Sequence, residues 1–484
     1  IEVVRGWLAS TGPWDPEDLG FALGVPTSRI LAAPLALEAE GMALRGRFLP
    51  SAPDQPEPHR EQFCDRRLLL RIHRQMQQKF RRSIETATPA QLWQLLARWQ
   101  HAWPGTQLQG GSGLLRVLHK LQGFVAGAAS WEEDLLPLRV RGFTSAALDA
   151  LCLSGEIAWG RLKPGTGDGR LSKSTPISLW KRADADFLVP PRPPFLEWLA
   201  AVRAEAAQAL PGTEDATTGP RRLSLLAEAA GEVLAKRGAR FFAELCRDLG
   251  RPAPEIAAAL SELCAAGLVT SDGLPGLRLL LGQAGALPGT PGGAQAALAA
   301  GRWSLIEGPS DPVETALGPV AVSRARFRGV QPVLAAEADW DNPALLEAWA
   351  NQYLLRYGVV LRELCSREPL GPPLYLLMPM LRRLEARGLL RSGYFVAGLS
   401  GEQFATPEAL EGLKLVRKLG ETQKEAIELR ISPSDPLNLC GILFPGNKVS
   451  SSSLTPILFR NGQPVLSPDL GVVAEASAAE AHSA

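Results

Sequence analysis

Four copies of one short pattern constrain this chain more than any other feature. Each copy begins as an apolar helical stripe, stops at a glycine and continues as a short run of strand formers. In the last copy Leu377, Met380, Leu381 and Leu384 recur at helical spacing. Gly388 then stands where a helix ends in the left-handed region, which glycine adopts without steric cost. Leu389 and Leu390 lead to Tyr394, Phe395 and Val396, with Ser392-Gly393 read as the turn between two strands. The other three stops are Gly41, Gly155 and Gly267. The stops recur at roughly 115-residue intervals, the mark of a long internal repeat. Each has an upstream partner, Gly12, Gly127, Gly238 and Gly358, about 29 residues earlier, which is the length of two short helices and a turn. Helix, glycine, strand, turn, strand is the second half of a winged helix-turn-helix. The predicted fold is mainly α (α+β): tandem winged helix-turn-helix modules followed by a small C-terminal β-barrel.

On this reading winged helix one occupies 1–50, with Asp15 as N-cap and Pro16 at the first helical position, and 51–58 is a surface linker. A helical segment plus winged helix two fills 60–165, and winged helix three fills 189–282. A linker and irregular segment, 283–340, separates these from winged helix four at 343–405. A helix plus the small β-barrel takes 406–472, and 473–484 is a disordered tail. The barrel rests on the alternation of Ile427, Leu429 and Ile431, on a strand over 437–443, and on a hairpin at Asn461-Gly462. Residues 165–175 are glycine-rich, but Ser172 precedes Lys173 where a phosphate loop needs Gly-Lys, so they read as an exposed loop.

The formal net charge is +1, so any attraction for a polyanion has to be local. The most basic stretch, 60–82, carries Arg60, Arg66, Arg67, Arg71, Arg74, Lys79, Arg81 and Arg82 against Glu61 and Asp65. Leu68, Leu69, Ile72, Met76 and Phe80 give it one apolar face, so it reads as a long amphipathic helix. Arg66, Arg67, Arg71, Arg74, Lys79, Arg81 and Arg82 are the candidate phosphate contacts. The alternative is a solvated face with salt bridges to neighbouring modules. The presumed reading helix of module three, 255–265, offers only Glu255, Ser261 and Glu262, which makes it a poor reader of bases. Six cysteines form no C-x-x-C pair and fall mostly at apolar positions, as buried free thiols in a reducing cytoplasm would. With no signal peptide and no spanning apolar run, a cytoplasmic protein without a membrane partner is expected. The chain starts at Ile1 in mid-pattern and is expected to be a piece of a longer polypeptide.

Several motifs, in order, resemble the Lhr (large helicase-related) family. They are Phe63-Cys64-Asp65-Arg66-Arg67-Leu68-Leu69-Leu70-Arg71-Ile72-His73-Arg74, Leu96-Ala97-Arg98-Trp99-Gln100-His101, Leu121-Gln122-Gly123 with Trp131-Glu132, and Thr175-Pro176-Ile177-Ser178-Leu179. Arg356-Tyr357-Gly358-Val359-Val360, Leu399-Ser400-Gly401-Glu402-Gln403-Phe404 and Asp435-Pro436-Leu437-Asn438-Leu439 continue the series. The resemblance is to the C-terminal extension of the long bacterial members. It implies a superfamily-two helicase moving on single-stranded DNA, with an extension of tandem winged helices and a β-barrel similar to AlkZ-type DNA glycosylases. It also implies uracil removal through a carboxylate near the C-terminus. No Walker A loop, Asp-Glu-x-His box or arginine finger occurs here, so ATP binding belongs to the parent protein. No cofactor or metal is expected in this chain.

Three readings follow. The first is the nucleic-acid-binding C-terminal region of an Lhr-type ATP-dependent DNA helicase in DNA repair, with single-stranded or forked DNA and the N-terminal helicase core as partners. The second is a DNA glycosylase removing uracil or alkylated bases, with Asp435 or Asp469 as the catalytic acid. A turn-holding role is the competing reading for Asp435. The third is an oligomerisation scaffold for the helicase, giving a homo-oligomer.

Overall fold

The computed structural model describes residues 1–48, 61–72, 75, 86–163, 171–208, 223–282, 301–307, 339–422, 425–453 and 455–465. They fall into two compact units, Ile1–Thr86 and Ala87–Ala484. Among the described residues no single helix is long and apolar enough to cross a membrane.

The first unit is one winged helix. Helix Glu2–Thr11 is followed by Pro16–Leu23, which Asp15 caps by accepting from the Glu17 and Asp18 amides, both at 2.9 Å. Thr27–Ile30 and Ala32–Ala39 form the third helical stretch, and strand Ala43–Gly46 pairs antiparallel with Gln62–Asp65. Trp14 bridges Phe63 on the other side of that return strand. Val4, Leu8, Leu19, Ile30, Leu37 and Phe63 make the core. The basic stretch expected as one helix from residue 60 therefore begins differently. Gln62–Asp65 closes the wing, and the helix starts only at 66. The reason is non-local: Phe63 and Cys64 lie against Arg45 and Leu44, and both are buried.

Three more winged helices occupy the second unit. Their first helices are Gly110–Leu121, Leu225–Arg237 and Pro343–Tyr357. Their third helices are Ser145–Leu153, Ala253–Ala265 and Leu374–Ala386. In each three-stranded sheet the return strand lies in the middle: Pro176–Lys181, Arg302–Leu305 and Gln403–Ala405. The four stop glycines share one geometry, with φ of 70° at Gly41, 81° at Gly155, 76° at Gly267 and 79° at Gly388. Each follows a helix and precedes a strand. Of the upstream partners, Gly12, Gly238 and Gly358 end first helices. Gly127 instead lies in strand Ala126–Gly127, and Gly123, with φ of 75°, takes the left-handed place after Gly110–Leu121.

Three wings of this unit differ from expectation, and in module two the return strand Pro176–Lys181 lies past the expected boundary at 165. Module three closes with Arg302–Leu305, inside the segment read as linker, and buries Trp303 completely. In module four Ser392 and Gly393 belong to strand Arg391–Gly393 rather than to a turn. The wing loop is held by buried Gln403, whose Oε1 accepts from the Phe395 and Val396 amides at 2.7 and 2.9 Å.

At the C-terminal end, Pro407–Thr422 precedes an antiparallel sheet of Glu428–Ile431, Ile457–Arg460 and Gln463–Val465. Asn461 and Gly462, with φ of 49° and 81°, make the two-residue hairpin loop as expected. The stretch 437–443 is a series of turns, not a strand, and the described strands form an open sheet rather than a closed barrel. The sheet packs on helix Pro89–Trp99: Trp93 stacks on Phe459 at 4.0 Å, and its Nε1 donates to the Leu437 carbonyl at 2.8 Å.

Candidate nucleic-acid interface and a buried ion-pair node

The basic helix is positioned from its first turn. Asp65, last residue of the wing strand, accepts from the Arg67 and Leu68 amides at 2.8 and 2.9 Å, a helix N-cap. Arg66, Arg67 and Arg71 are exposed, and Arg67 and Arg71 share a face by their four-residue spacing. Among the described residues none of the three pairs with an acid, whereas Arg45 of the wing is taken by Glu38 and Glu61. Arg74, Lys79, Arg81 and Arg82 lie outside the described residues, as does Asp469.

Asp435 sits in a different environment. It is fully buried, and its carboxylate is engaged bidentately by the equally buried Arg139, with Nη1–Oδ2 at 2.7 Å and Nη2–Oδ1 at 2.8 Å. Oδ1 also accepts from the Leu437 amide at 2.8 Å, and Arg367 donates to the Asp435 carbonyl at 2.6 Å. Arg139 further donates to Gln100 Oε1 at 3.1 Å and to the Leu135 carbonyl at 3.0 Å. A flipped nucleotide reaches this carboxylate only by displacing a guanidinium. Asn438 continues the turn, donating to the Pro433 and Val449 carbonyls at 2.7 and 3.0 Å.

A second buried pair, Arg356 and Glu368, lies alongside. Tyr357 donates to the same Glu368 oxygen at 2.6 Å. Burial, then the Glu368 charge, holds its phenol well above the usual range. Arg356 donates through Nε to the Lys120 carbonyl at 3.2 Å and through Nη2 to the Gln122 carbonyl, while Gln352 donates to the carbonyls of His119 and Lys120. These are the orphan carbonyls at the end of module two's first helix. The capping is mutual. Trp99 Nε1 donates to the Leu355 carbonyl at 2.9 Å and Gln100 Nε2 to the Arg356 carbonyl at 3.2 Å, closing the end of module four's first helix. Modules two and four are thus fixed to each other and to the Asp435 turn by buried and partly buried polar groups.

Beside this node, Lys120 Nζ donates to the Trp99 carbonyl and lies 4.7 Å from the Trp99 ring centre. Burial, then the Arg116 charge, pushes Lys120 down to about 8. His101 holds a left-handed backbone, φ 61°, with Nδ1 donating to the Thr106 carbonyl at 3.1 Å. Burial, then Lys120, pushes its imidazole down to about 4, so it is neutral.

Motif residues scattered from Gln100 to Asn438 converge here. Two family models, both describing the winged-helix domain of the large helicase-related protein, match residues 87–182, as the third such domain, and 339–425, as the fourth. The chain carries Lhr winged-helix domains. The Lhr helicase/probable uracil glycosylase of Mycolicibacterium smegmatis is 25% identical over 456 residues, 91% of this chain and 26% of that protein. The Lhr helicase/uracil glycosylase of Escherichia coli is 28% identical over 345 residues, 70% of this chain and 20% of that protein. The chain therefore spans about a quarter or less of the Lhr relatives it matches. Among the node residues, Gln100, Gln122 and Arg356 stood in Lhr-like motifs without any sign that they meet. Gln352 lies outside those motifs, and Arg139 gave no sequence signal at all.

Proposed function

We propose that this chain is the nucleic-acid-binding C-terminal region of an Lhr-type ATP-dependent DNA helicase acting in DNA repair. The observation that carries this reading is that both Lhr domain matches fall on complete winged helices, modules two and four. ATP hydrolysis then belongs to a helicase core in the parent protein, and single-stranded or forked DNA is the partner. Arg66, Arg67 and Arg71 supply phosphate contacts, continued by Arg74, Lys79, Arg81 and Arg82. Such contacts hold the strand without reading its sequence.

The names of both relatives favour a second reading, removal of uracil by this region itself. Cleaving the bond between base and sugar builds positive charge on the sugar, which a carboxylate facing the flipped nucleotide stabilises or relieves by activating water. With Asp435 committed to Arg139, this reading leans on Asp469. Incubating the purified chain with uracil-containing and undamaged single strands, and scoring affinity and abasic sites together, separates the two. Affinity for both strands without abasic sites supports the binding region alone. Abasic sites that disappear in Asp469→Asn at unchanged affinity establish the glycosylase. No affinity for either strand at low salt sinks both readings.

A further inference from the structure

The internal repeat allows four equivalent surfaces to be compared, and they differ. In module two the third helix, Ser145–Leu153, carries no cation, and its Asp149 is held by Arg278 of module three at 2.9 Å. In module three the third helix, Ala253–Ala265, also lacks cations. Its C-terminal end is covered, with Arg161 donating to the Ala265 carbonyl at 2.6 Å and Arg192 to that of Gly267. Module one offers a single cation there, Arg29.

Module four is the exception. Its third helix, Leu374–Ala386, buries Leu377, Met380, Leu381 and Leu384, and its opposite face exposes Tyr375, Arg382 and Arg383. Arg387, Arg391 and, on the wing, Tyr394 are exposed beyond it. The helix's own acid, Glu385, turns to Ser392 and accepts from its amide and hydroxyl at 3.1 and 2.6 Å. Arg382 and Arg387 meet Glu402 and Glu347 at 3.3 and 3.7 Å, exposed pairs of the weak kind. Arg383 pairs with no acid among the described residues. The chain has four tyrosines. Tyr353 and Tyr357 are buried, while Tyr375 is 72% and Tyr394 64% exposed. Both exposed tyrosines therefore fall on the one module whose third helix is basic, whereas the exposed Phe21 and Phe241 lie on modules one and three.

We infer that this face of module four is a stacking platform for single-stranded nucleic acid, with bases on Tyr375 and Tyr394 and phosphates on Arg383 and its neighbours. Aromatic faces interleaved with cations are what a strand with unpaired bases requires. Tyr375 and Arg383 lie about 12 Å apart along the helix from their eight-residue separation, so the platform spans more than one nucleotide. A duplex, whose bases are already stacked, gains nothing from the two rings. The inference rests on the nucleic-acid-binding reading above and assigns it a place.

The test titrates fluorescein-labelled oligothymidine with the full chain and with Tyr375→Ala, Tyr394→Ala, Arg383→Ala and the module-two control Leu153→Ala. Each tyrosine variant is expected to weaken binding about ten-fold or more, and Tyr375→Phe and Tyr394→Phe to restore it. Arg383→Ala is expected to lower the salt slope by about 0.7. The control is expected to match wild type, and all variants to keep its melting temperature. If wild type binds and both tyrosine variants bind equally well, the platform is overturned while the binding reading stands. If wild type binds no strand, the binding reading fails and the platform with it. If the tyrosine variants leave affinity unchanged but dissociate an oligomer in sedimentation, the face joins copies of the chain and the inference is overturned.

Discussion

Asp435 and Arg139 show how one buried residue acquires its role from distant chain. A turn-holding aspartate needs only the Leu437 amide, yet this one also neutralises a guanidinium brought by a helix of module two. Replacing both partners of such a pair with apolar groups is often tolerated, but removing one strands the other charge. Asp435→Asn is therefore expected to lower stability by roughly 3–5 kcal/mol, read from the urea midpoint, and Arg139→Met combined with Asp435→Leu to recover most of the loss. If the wild-type chain releases base, an Asp435→Asn chain with the wild-type midpoint and no base release would instead make Asp435 the catalytic acid.

Between the helix stops, identical local geometry carries different tertiary weight. Gly267 and Gly388 share the left-handed conformation. A Cβ at Gly388 meets open space, whereas one at Gly267 stands 2.6 Å from the Arg161 carbonyl oxygen. Gly388→Ala is expected to cost about 1–2 kcal/mol, the penalty of the left-handed backbone alone. Gly267→Ala is expected to cost more, because the obstacle is backbone and cannot swing aside. Thermal melts of the two variants check the order, and equal losses would show that the wing of module two yields freely. The same difference between local and tertiary causes explains the wings. A helix stop is written in a few adjacent residues, so all four were legible. A return strand is defined by a partner far away, so Gln62–Asp65 read as helix and Arg302–Leu305 as linker.

For the whole molecule, a net charge of +1 means that no general attraction draws a strand in, and the salt dependence of binding counts local contacts. Each phosphate contact to a single strand contributes a slope of about 0.7. Changing Arg66, Arg67 and Arg71 together to Glu is expected to flatten the log–log slope by roughly 2 if all three touch phosphate. An unchanged slope in the folded variant would return that helix to a solvated face.

The sequence by itself determined what depends on neighbours along the chain. Gly41, Gly155, Gly267 and Gly388 end helices because few other residues accept their φ, Asp15 and Pro16 start one, and Asn461-Gly462 turns a hairpin. The Lhr-like motifs were also legible as strings. Only the tertiary structure decided what those strings are for. Gln100, Gln122, Gln352 and Arg356 come from three helices or their ends, and once buried they find their partners in the open helix ends, in one another and in the charged groups Arg139, Asp184 and Glu368. For the third helices the two sources combine: the sequence already leaves those of modules two and three without cations, and the fold pairs or covers them while Tyr375 and Arg383 of module four face solvent.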